Sequence, residues 1–346
     1  MSRRLQRSGF TTRAGRRLDF TRLGFGGAPL GNYPKALTEA QAEATVEAAW
    51  NVGMRYFDTA PLYGLGLSEA RIGAVLKGRR RGDYLLSTKV GRLLDPCAPG
   101  ERDDGGIYVD VPRLKIRYDY SYAGVMRSYE ESLKRLGLGR VDIVFVHDVD
   151  SRNHGGLEGS EARIRELMDT GGWRALDELR SSGDIAAIGA GVNEWEPCAR
   201  LLAVSDPDLF LLAGRYTLLE QAPLTTLFPE CQRRGVGIVN GGPLNSGVLA
   251  GGAHYDYAAV PRHVTERVEA LSRVCQAHRV SLPEAAIQFA GAHPAVVSVI
   301  AGAQSADEVK ANAAALSHPA PAAFWQALKD QGLLDPAAPI PETAAC

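Results

Sequence analysis

Short apolar or β-branched runs alternate with amphipathic stretches of helical period, eight times over, with no break in composition. That pattern predicts an α/β fold, a closed (β/α)8 or TIM barrel, with an N-terminal β-hairpin and long loops at its C-terminal face. Two further observations favour the closed barrel over an open doubly wound sheet. The glycines after the first run, in LGFGGAPLG, lack the GxGxxG spacing, and no P-loop lysine follows. Long polar connections follow the third, fourth and seventh runs, where a barrel raises its site-building loops.

Residues 1–22 precede the repeat and read as the extra hairpin. Gly9–Thr12 and Leu18–Thr21 flank a turn at Ala14-Gly15, and such a hairpin can cover the bottom of the barrel. The eight strands are expected at Leu23–Gly26, Arg55–Asp58, Leu85–Lys89, Asp142–His147, Ile185–Gly189, Leu209–Ala213, Gly237–Asn240 and Val297–Ala301. Helical spacing is clear in Glu39–Asn51, through Ala42, Val46 and Ala49, and in Gly124–Leu136, through Val125, Tyr129 and Leu133. The long connections are residues 91–120, 148–172 and 243–262; the first holds an alternating stretch, Leu114–Tyr120, suited to a small hairpin. Residues 330–346 are rich in proline and alanine and are expected as an extended tail on a single barrel spanning 1–346.

Apolar residues make up 45% and charged residues 23%, with a formal net charge of -1. That balance suits a globular protein and offers no field for nucleic acid or an anionic membrane. The five cysteines, Cys97, Cys198, Cys231, Cys275 and Cys346, are scattered and form no Cys-x-x-Cys pair. They suggest reduced thiols in a cytoplasmic enzyme rather than a disulfide framework or a zinc site. The basic start, MSRRLQRSGF, lacks the apolar stretch of a signal peptide, and no run reaches the roughly 18 apolar residues of a membrane span. The expected partner is a small molecule, with no metal.

Four residues at the ends of successive strands carry the chemistry. Asp58 closes the second strand in RYFD, and Tyr63 follows in DTAPLYG. Lys89 ends the third strand in LSTK, and His147 ends the fourth in IVFVH. Alone, each has a bland reading as a cap, a packing ring, a solvated amine or a structural imidazole. Together at a barrel mouth they form a proton donor–acceptor site. A neighbouring lysine is expected to favour the phenolate and lower the tyrosine from about 10. The aspartate can hold the lysine, and the histidine can orient a substrate oxygen. The set holds no acyl nucleophile and too few ligands for a metal, so the other electron pair must come from a cofactor, and hydride transfer to a nicotinamide fits.

At these residues the chain resembles the aldo-keto reductase family. The stretch GMRYFDTAPLYG is similar to the family's aspartate–tyrosine signature, STK and VH stand at its later positions, and the likeness covers roughly residues 20 to 316. It implies Asp58, Tyr63, Lys89 and His147 as the catalytic set. For the cofactor it implies Gly26, Gly27, Ala28 and Asp58 near the first two strands, and Asn193 on the carboxamide. The turn at Gly242, Pro243, Leu244, Asn245 and Gly247 is implied on the pyrophosphate, with Gly302, Gln304, Glu308 and Asn312 at the adenosine end. Three positions depart from the family: Val192 for a serine, Ala213 for a glutamine, and Gly241 near a stacking aromatic. Tyr216 could supply a ring, but packing is the simpler reading.

NADP-binding members place basic residues where this chain has Gln304 and Glu308. A carboxylate repels a 2′-phosphate and accepts from a free ribose hydroxyl, so NAD is expected as the preferred cofactor, with NADP possible. Within the family the likeness is strongest to the sugar 1-dehydrogenases for D-threo-aldoses such as L-fucose and for L-galactose, with pyridoxal 4-dehydrogenases also similar. It rests on VHD at 146–148, AGRYTLLEQ at 213–221 and PLNSG at 243–247. It implies oxidation of a cyclic hemiacetal (an aldose or pyridoxal) to a lactone, with Tyr63 as base; general aldehyde reduction is the alternative. Polar loop residues Arg92, Asp110, Arg117, Asp148, Asn153 and His154 suit a hydroxylated substrate. Two other classes are a slow nicotinamide-binding redox sensor and a lyase with a Schiff base on Lys89.

Overall fold

The computed structural model describes residues 5–98, 101 and 107–341. The chain opens with the antiparallel hairpin β1 (Arg7–Thr11) and β2 (Arg17–Thr21), close to where the sequence puts it. The barrel then begins with β3 (Leu23–Gly26), β4 (Tyr56–Asp58) and β5 (Leu85–Val90). A second hairpin, β6 (Arg92–Pro96) with β7 (Leu114–Tyr118), stands outside the barrel. The barrel resumes with β8 (Ile143–His147), β9 (Ala187–Val192), β10 (Leu209–Ala213) and β11 (Gly237–Gly241). After a two-residue pair, β12 (His254–Tyr255) and β13 (Ala258–Ala259), the last strand β14 (Val296–Gly302) pairs with β3 and closes the circle. Every neighbouring pair in the barrel is parallel.

Two expectations shift. The fifth barrel strand begins two residues later than Ile185, because Ile143 pairs with Ala187 and Leu209 with Gly189. The connection after β8 is not a plain loop: it holds the helix Leu157–Asp169, which buries Ile164 and Leu167. The expected tail is irregular but packed. Leu333, Leu334 and Ala338 are buried, and the Asp335 amide donates to Gln221. Residues 342–346, with Cys346, lie outside the described residues.

The bottom of the barrel is filled from below. Leu18 and Phe20 of β2 pack with Tyr56, Ile143, Phe145, Leu209, Val239 and Val297. The Phe20 and Tyr56 rings meet edge to face at 4.9 Å. Alternation explains this: in RLDFT the apolar residues fall on one face, and that face meets the inward side chains of the strands. With that end covered, the cavity described below lies at the C-terminal ends of the strands. Among the described residues no helix is long and apolar enough to cross a membrane, and no group of three His, Cys, Asp or Glu is placed to hold a metal.

Candidate active site

The C-terminal ends of β4, β5 and β8 bring the four expected residues together. Lys89 Nζ donates to Asp58 Oδ2 at 2.7 Å and to the Thr59 carbonyl at 3.0 Å. Both side chains are about 1% exposed. A buried pair of this kind costs desolvation, and removing one partner strands the other charge. The other carboxylate oxygen is satisfied too: Ser87 Oγ donates to Asp58 Oδ1 at 2.7 Å. Since the serine proton goes to the carboxylate, the Tyr56 hydroxyl, 2.9 Å from Ser87 Oγ, must donate to the serine. The barrel floor thus supports the pair through a directed chain of hydrogen bonds.

Local packing makes room for the pair. Gly191 on β9 is one requirement: a Cβ there would sit 3.1 Å from Lys89 Cε and 3.5 Å from Phe145 Cβ. Gly27 is another. Its amide donates to the Asp58 carbonyl at 2.8 Å, and a Cβ would fall 2.6 Å from Ser68 Oγ.

Tyr63 stands over this pair, with Lys89 Nζ 4.6 Å from its ring centroid. The His147 ring meets it edge on at 5.8 Å. Burial holds the Tyr63 phenol well above its ordinary value, and the Asp58 carboxylate pushes the same way. The sequence reading expected lysine to lower it; here the lysine donates to Asp58 and Thr59, and burial dominates. The resting phenol is a proton donor. Burial, then the Arg92 and Lys89 charges, hold His147 well below its ordinary value, so its ring is neutral. An ion-paired Lys89 is committed as a donor, whereas a Schiff base needs its lone pair, so the lyase reading finds no support.

Beside His147 lies a second buried ion pair that sequence reasoning listed only among polar loop residues. Arg92 Nη2 donates to Asp148 Oδ2 at 2.5 Å and to Asn153 Oδ1 at 3.0 Å. His147 Nε2 lies 3.3 Å from Asp148 Oδ2, and Asn193 Nδ2 donates to Asp148 Oδ1 at 3.1 Å. Burial lifts the Asp148 carboxyl to about 6, against the pull of Arg92. Asp148 also takes a left-handed backbone (φ 49°), uncommon outside glycine and a mark of a constrained site.

These groups open on a cavity of about 280 Å³, lined by Tyr63, Lys89, His147, Asp148, Asn193 and Ala28 among others. Its outer wall carries Tyr33, Tyr108, Tyr118 and Tyr257, from three separate connections. Tyr33 packs against Tyr108 at 6.1 Å and Tyr257 at 5.9 Å, and Arg152 lies 5.3 Å from the Tyr257 ring. Of the polar loop residues, Arg92, Asp148 and Asn153 line the cavity. Arg117 instead pairs with Asp95 and Asp119 outside it. His154 packs on Tyr118 and bonds the Asp148 carbonyl, and Asp110 lends its carbonyl to Asn32. No sequence signal gathers the four tyrosines; only the folded loops do.

The residues implied for the cofactor form separate patches. Ala28 and Asn193 line the cavity, while Gly26 and Gly27 are buried beside Asp58. Asn245, Ser246 and Gly247 all have positive φ, and Asn245 Nδ2 donates to the Gly214 carbonyl at 3.1 Å. At the end of β14, Glu308 Oε2 accepts from the Gln304 amide at 2.9 Å, Gln304 Nε2 donates to the Lys35 carbonyl at 3.2 Å, and Asn312 donates to the Gly302 carbonyl. Tyr216 is a packing residue, stacked on Phe289 at 4.9 Å.

Residues 22–331 match the Aldo/keto reductase family. The chain belongs to that family. This aldo-keto reductase is 38% identical over 330 residues to a pyridoxal 4-dehydrogenase of Microbacterium luteolum, covering 92% of this chain and 95% of that one. It is 37% identical over 322 residues to a D-threo-aldose 1-dehydrogenase of a Pseudomonas species, covering 90% and 94%. An aldo-keto reductase of Bacillus halodurans in its holo form superposes with a TM-score of 0.73 at 26% identity, covering 96% and 98%. The chain is an oxidoreductase enzyme on a (β/α)8 barrel, in a family that uses nicotinamide cofactors. Its residues fit such a cofactor: Asn193 lines the cavity, its Oδ1 accepts no bond among the described residues, and the left-handed turn at 245–247 lies past the end of β11.

Proposed function

We propose that this aldo-keto reductase is an NAD-linked dehydrogenase that oxidises the hemiacetal carbon of an aldose of the L-fucose, D-arabinose or L-galactose type to a lactone. The observation that supports it most is the cavity. It sets a tyrosine–lysine–aspartate proton site against a wall of hydrogen-bonding side chains, Arg92, Asp148 and Asn153. A nicotinamide bound beside Asn193 would supply the acceptor for the hydride of the anomeric carbon. Tyr63 takes the proton of the anomeric hydroxyl, and the carbon–oxygen double bond forms. Because the resting Tyr63 is protonated, oxidation requires it to release a proton first, and the Lys89 ammonium 4.6 Å from its ring centroid favours that release. His147, neutral, offers an N–H to the substrate oxygen. Asn193 would hold the carboxamide, the 242–247 turn the pyrophosphate, and Gln304 with Glu308 the ribose. The carboxylate of Glu308 supports NAD over NADP.

The four tyrosines favour a second substrate on the same chemistry. Pyridoxal closes to a cyclic hemiacetal, and its flat ring suits an aromatic wall. A panel of aldoses and pyridoxal, each with NAD and NADP, separates the readings by absorbance of the reduced nicotinamide. An aldose turned over with at least tenfold higher kcat/KM than pyridoxal supports the first. The reverse order supports the second, and silence with all of them removes both.

A further inference from the structure

Asp148 touches both sides of the reacting centre. Its Oδ1 accepts from Asn193 Nδ2 at 3.1 Å, and its Oδ2 lies 3.3 Å from His147 Nε2. A carboxylate has no proton to give, so the side chain that bonds it must turn a donor toward it. Asn193 therefore presents its NH2 to Asp148 and keeps its carbonyl oxygen for something else. His147 Nε2 lies near the same carboxylate but forms no hydrogen bond with it, so its proton stays free for a substrate oxygen. The carboxylate is itself fixed by Arg92, whose side chain is 5% exposed and also bonds Asn153. Asp150 reinforces the arrangement by accepting from the Asn193 backbone amide at 3.1 Å.

The departures noted in the sequence make this brace matter more. Val192 and Ala213 stand where the family resemblance implies a serine and a glutamine, and neither can hydrogen-bond a carboxamide through its side chain. Asn193 is the one of the three side chains that keeps this capacity, and its orientation is set by Asp148.

The structure assigns Asp148, anchored by Arg92, as a positioning residue that orients Asn193 toward the nicotinamide carboxamide. This rests on the reading of Asn193 as the carboxamide-facing residue. The test uses equilibrium binding by calorimetry on the full chain with three probes: NAD, 3-acetylpyridine adenine dinucleotide, and ADP-ribose. The second replaces the amide by a methyl ketone and has no N–H to donate to Asn193. The third lacks the ring and reports on the rest of the cofactor site.

Wild type is expected to bind NAD about fivefold to tenfold more tightly than the acetyl analogue, the worth of one hydrogen bond. Asp148→Asn is expected to bring that ratio close to one while ADP-ribose binding stays unchanged. With any substrate that turns over, the same variant lowers kcat by about a hundredfold through misplaced groups. A variant that keeps the wild-type ratio overturns the assignment. If wild type shows no preference, the reading of Asn193 falls, and the assignment with it. If Asp148→Asn fails to bind ADP-ribose, the unpaired Arg92 has disturbed the fold. The double variant Arg92→Met/Asp148→Leu, with neither charge, then takes its place under the same criterion.

Discussion

The two sides of the barrel mouth are built on opposite plans. On the side of β4, β5 and β8, every charge is buried and already paired: Lys89 with Asp58, and Asp58 in turn with Ser87 and Tyr56 behind it. On the side of β11 and β14, Asn245 and Asn312 are buried but neutral, and the one carboxylate of the implied cofactor residues, Glu308, is exposed, with Gln304 partly exposed. The difference follows from solvation. A buried ammonium and carboxylate must satisfy each other within the fold, because no water can. Turn amides and surface carboxylates lose little by facing solvent and can meet a phosphate or ribose later. The proton site is therefore rigid and intolerant, while the cofactor site can be retuned.

The sharpest break of this comparison is at Tyr63. Tyr63→Phe is expected to lower kcat/KM by about 10²–10⁴-fold, the usual worth of a positioned acid–base group, with NAD affinity nearly unchanged. Stopped assays and calorimetry on one preparation check both halves. If the proton site acts as a unit, Tyr63→Phe/Lys89→Met is no slower than the worse single variant. Additive losses would mean that the residues work separately.

Lys89 should also reveal the rigidity in stability. Lys89→Met leaves Asp58 buried without its cation, and urea unfolding should show a loss of about 3–5 kcal/mol. A substitution on the cofactor side, such as Asp307→Asn at an exposed helix end, should stay within about 0.5 kcal/mol. Equal effects on the two sides would erase the contrast.

How much of this was legible in the sequence follows the same division. Asp58, Lys89 and His147 each end an apolar run, so their meeting at one rim follows from strand alternation and barrel closure. The brace around Asp148 was not legible as a unit. It joins the residue after β8 to Arg92 on the outer hairpin and Asn193 beyond β9, and only loop conformation brings these together. The helix Leu157–Asp169 was missed because its apolar stripe is narrow, Ile164 and Leu167, and its start follows glycines. The fifth strand was placed early because Ile185-Ala186-Ala187-Ile188 is apolar throughout, and register rather than composition sets its start.

The direction of reaction offers a pH test of the proton side. Tyr63 is held protonated by burial and by nearby carboxylates. Its protonated form donates in reduction, and its deprotonated form accepts in oxidation. The kcat/KM for oxidation should therefore rise with pH through the neutral and alkaline range, while that for reduction stays level or falls. A stopped-flow profile in both directions, with the chemical step isolated, checks the sign. Oxidation that is flat from neutral pH upward would mean that the phenol loses its proton far more easily than its surroundings imply.

The smallest effect is expected on the cofactor side, where one charge can be removed without disturbing the turn it caps. Glu308 Oε2 accepts from the Gln304 amide, and an amide oxygen can do the same, so Glu308→Gln preserves the local hydrogen bond. What it removes is repulsion toward a 2′-phosphate and an acceptor for the ribose hydroxyl. The ratio of kcat/KM for NADP to that for NAD should rise about threefold to tenfold, a change of roughly 1 kcal/mol at a solvent-screened position. Adding Gln304→Arg should raise it further, since a guanidinium can pair with the phosphate directly. Because neither residue lines the cavity that holds Tyr63, the swap should leave the chemical step untouched. A change in cofactor preference accompanied by a lower single-turnover rate would show that the two sides are coupled after all.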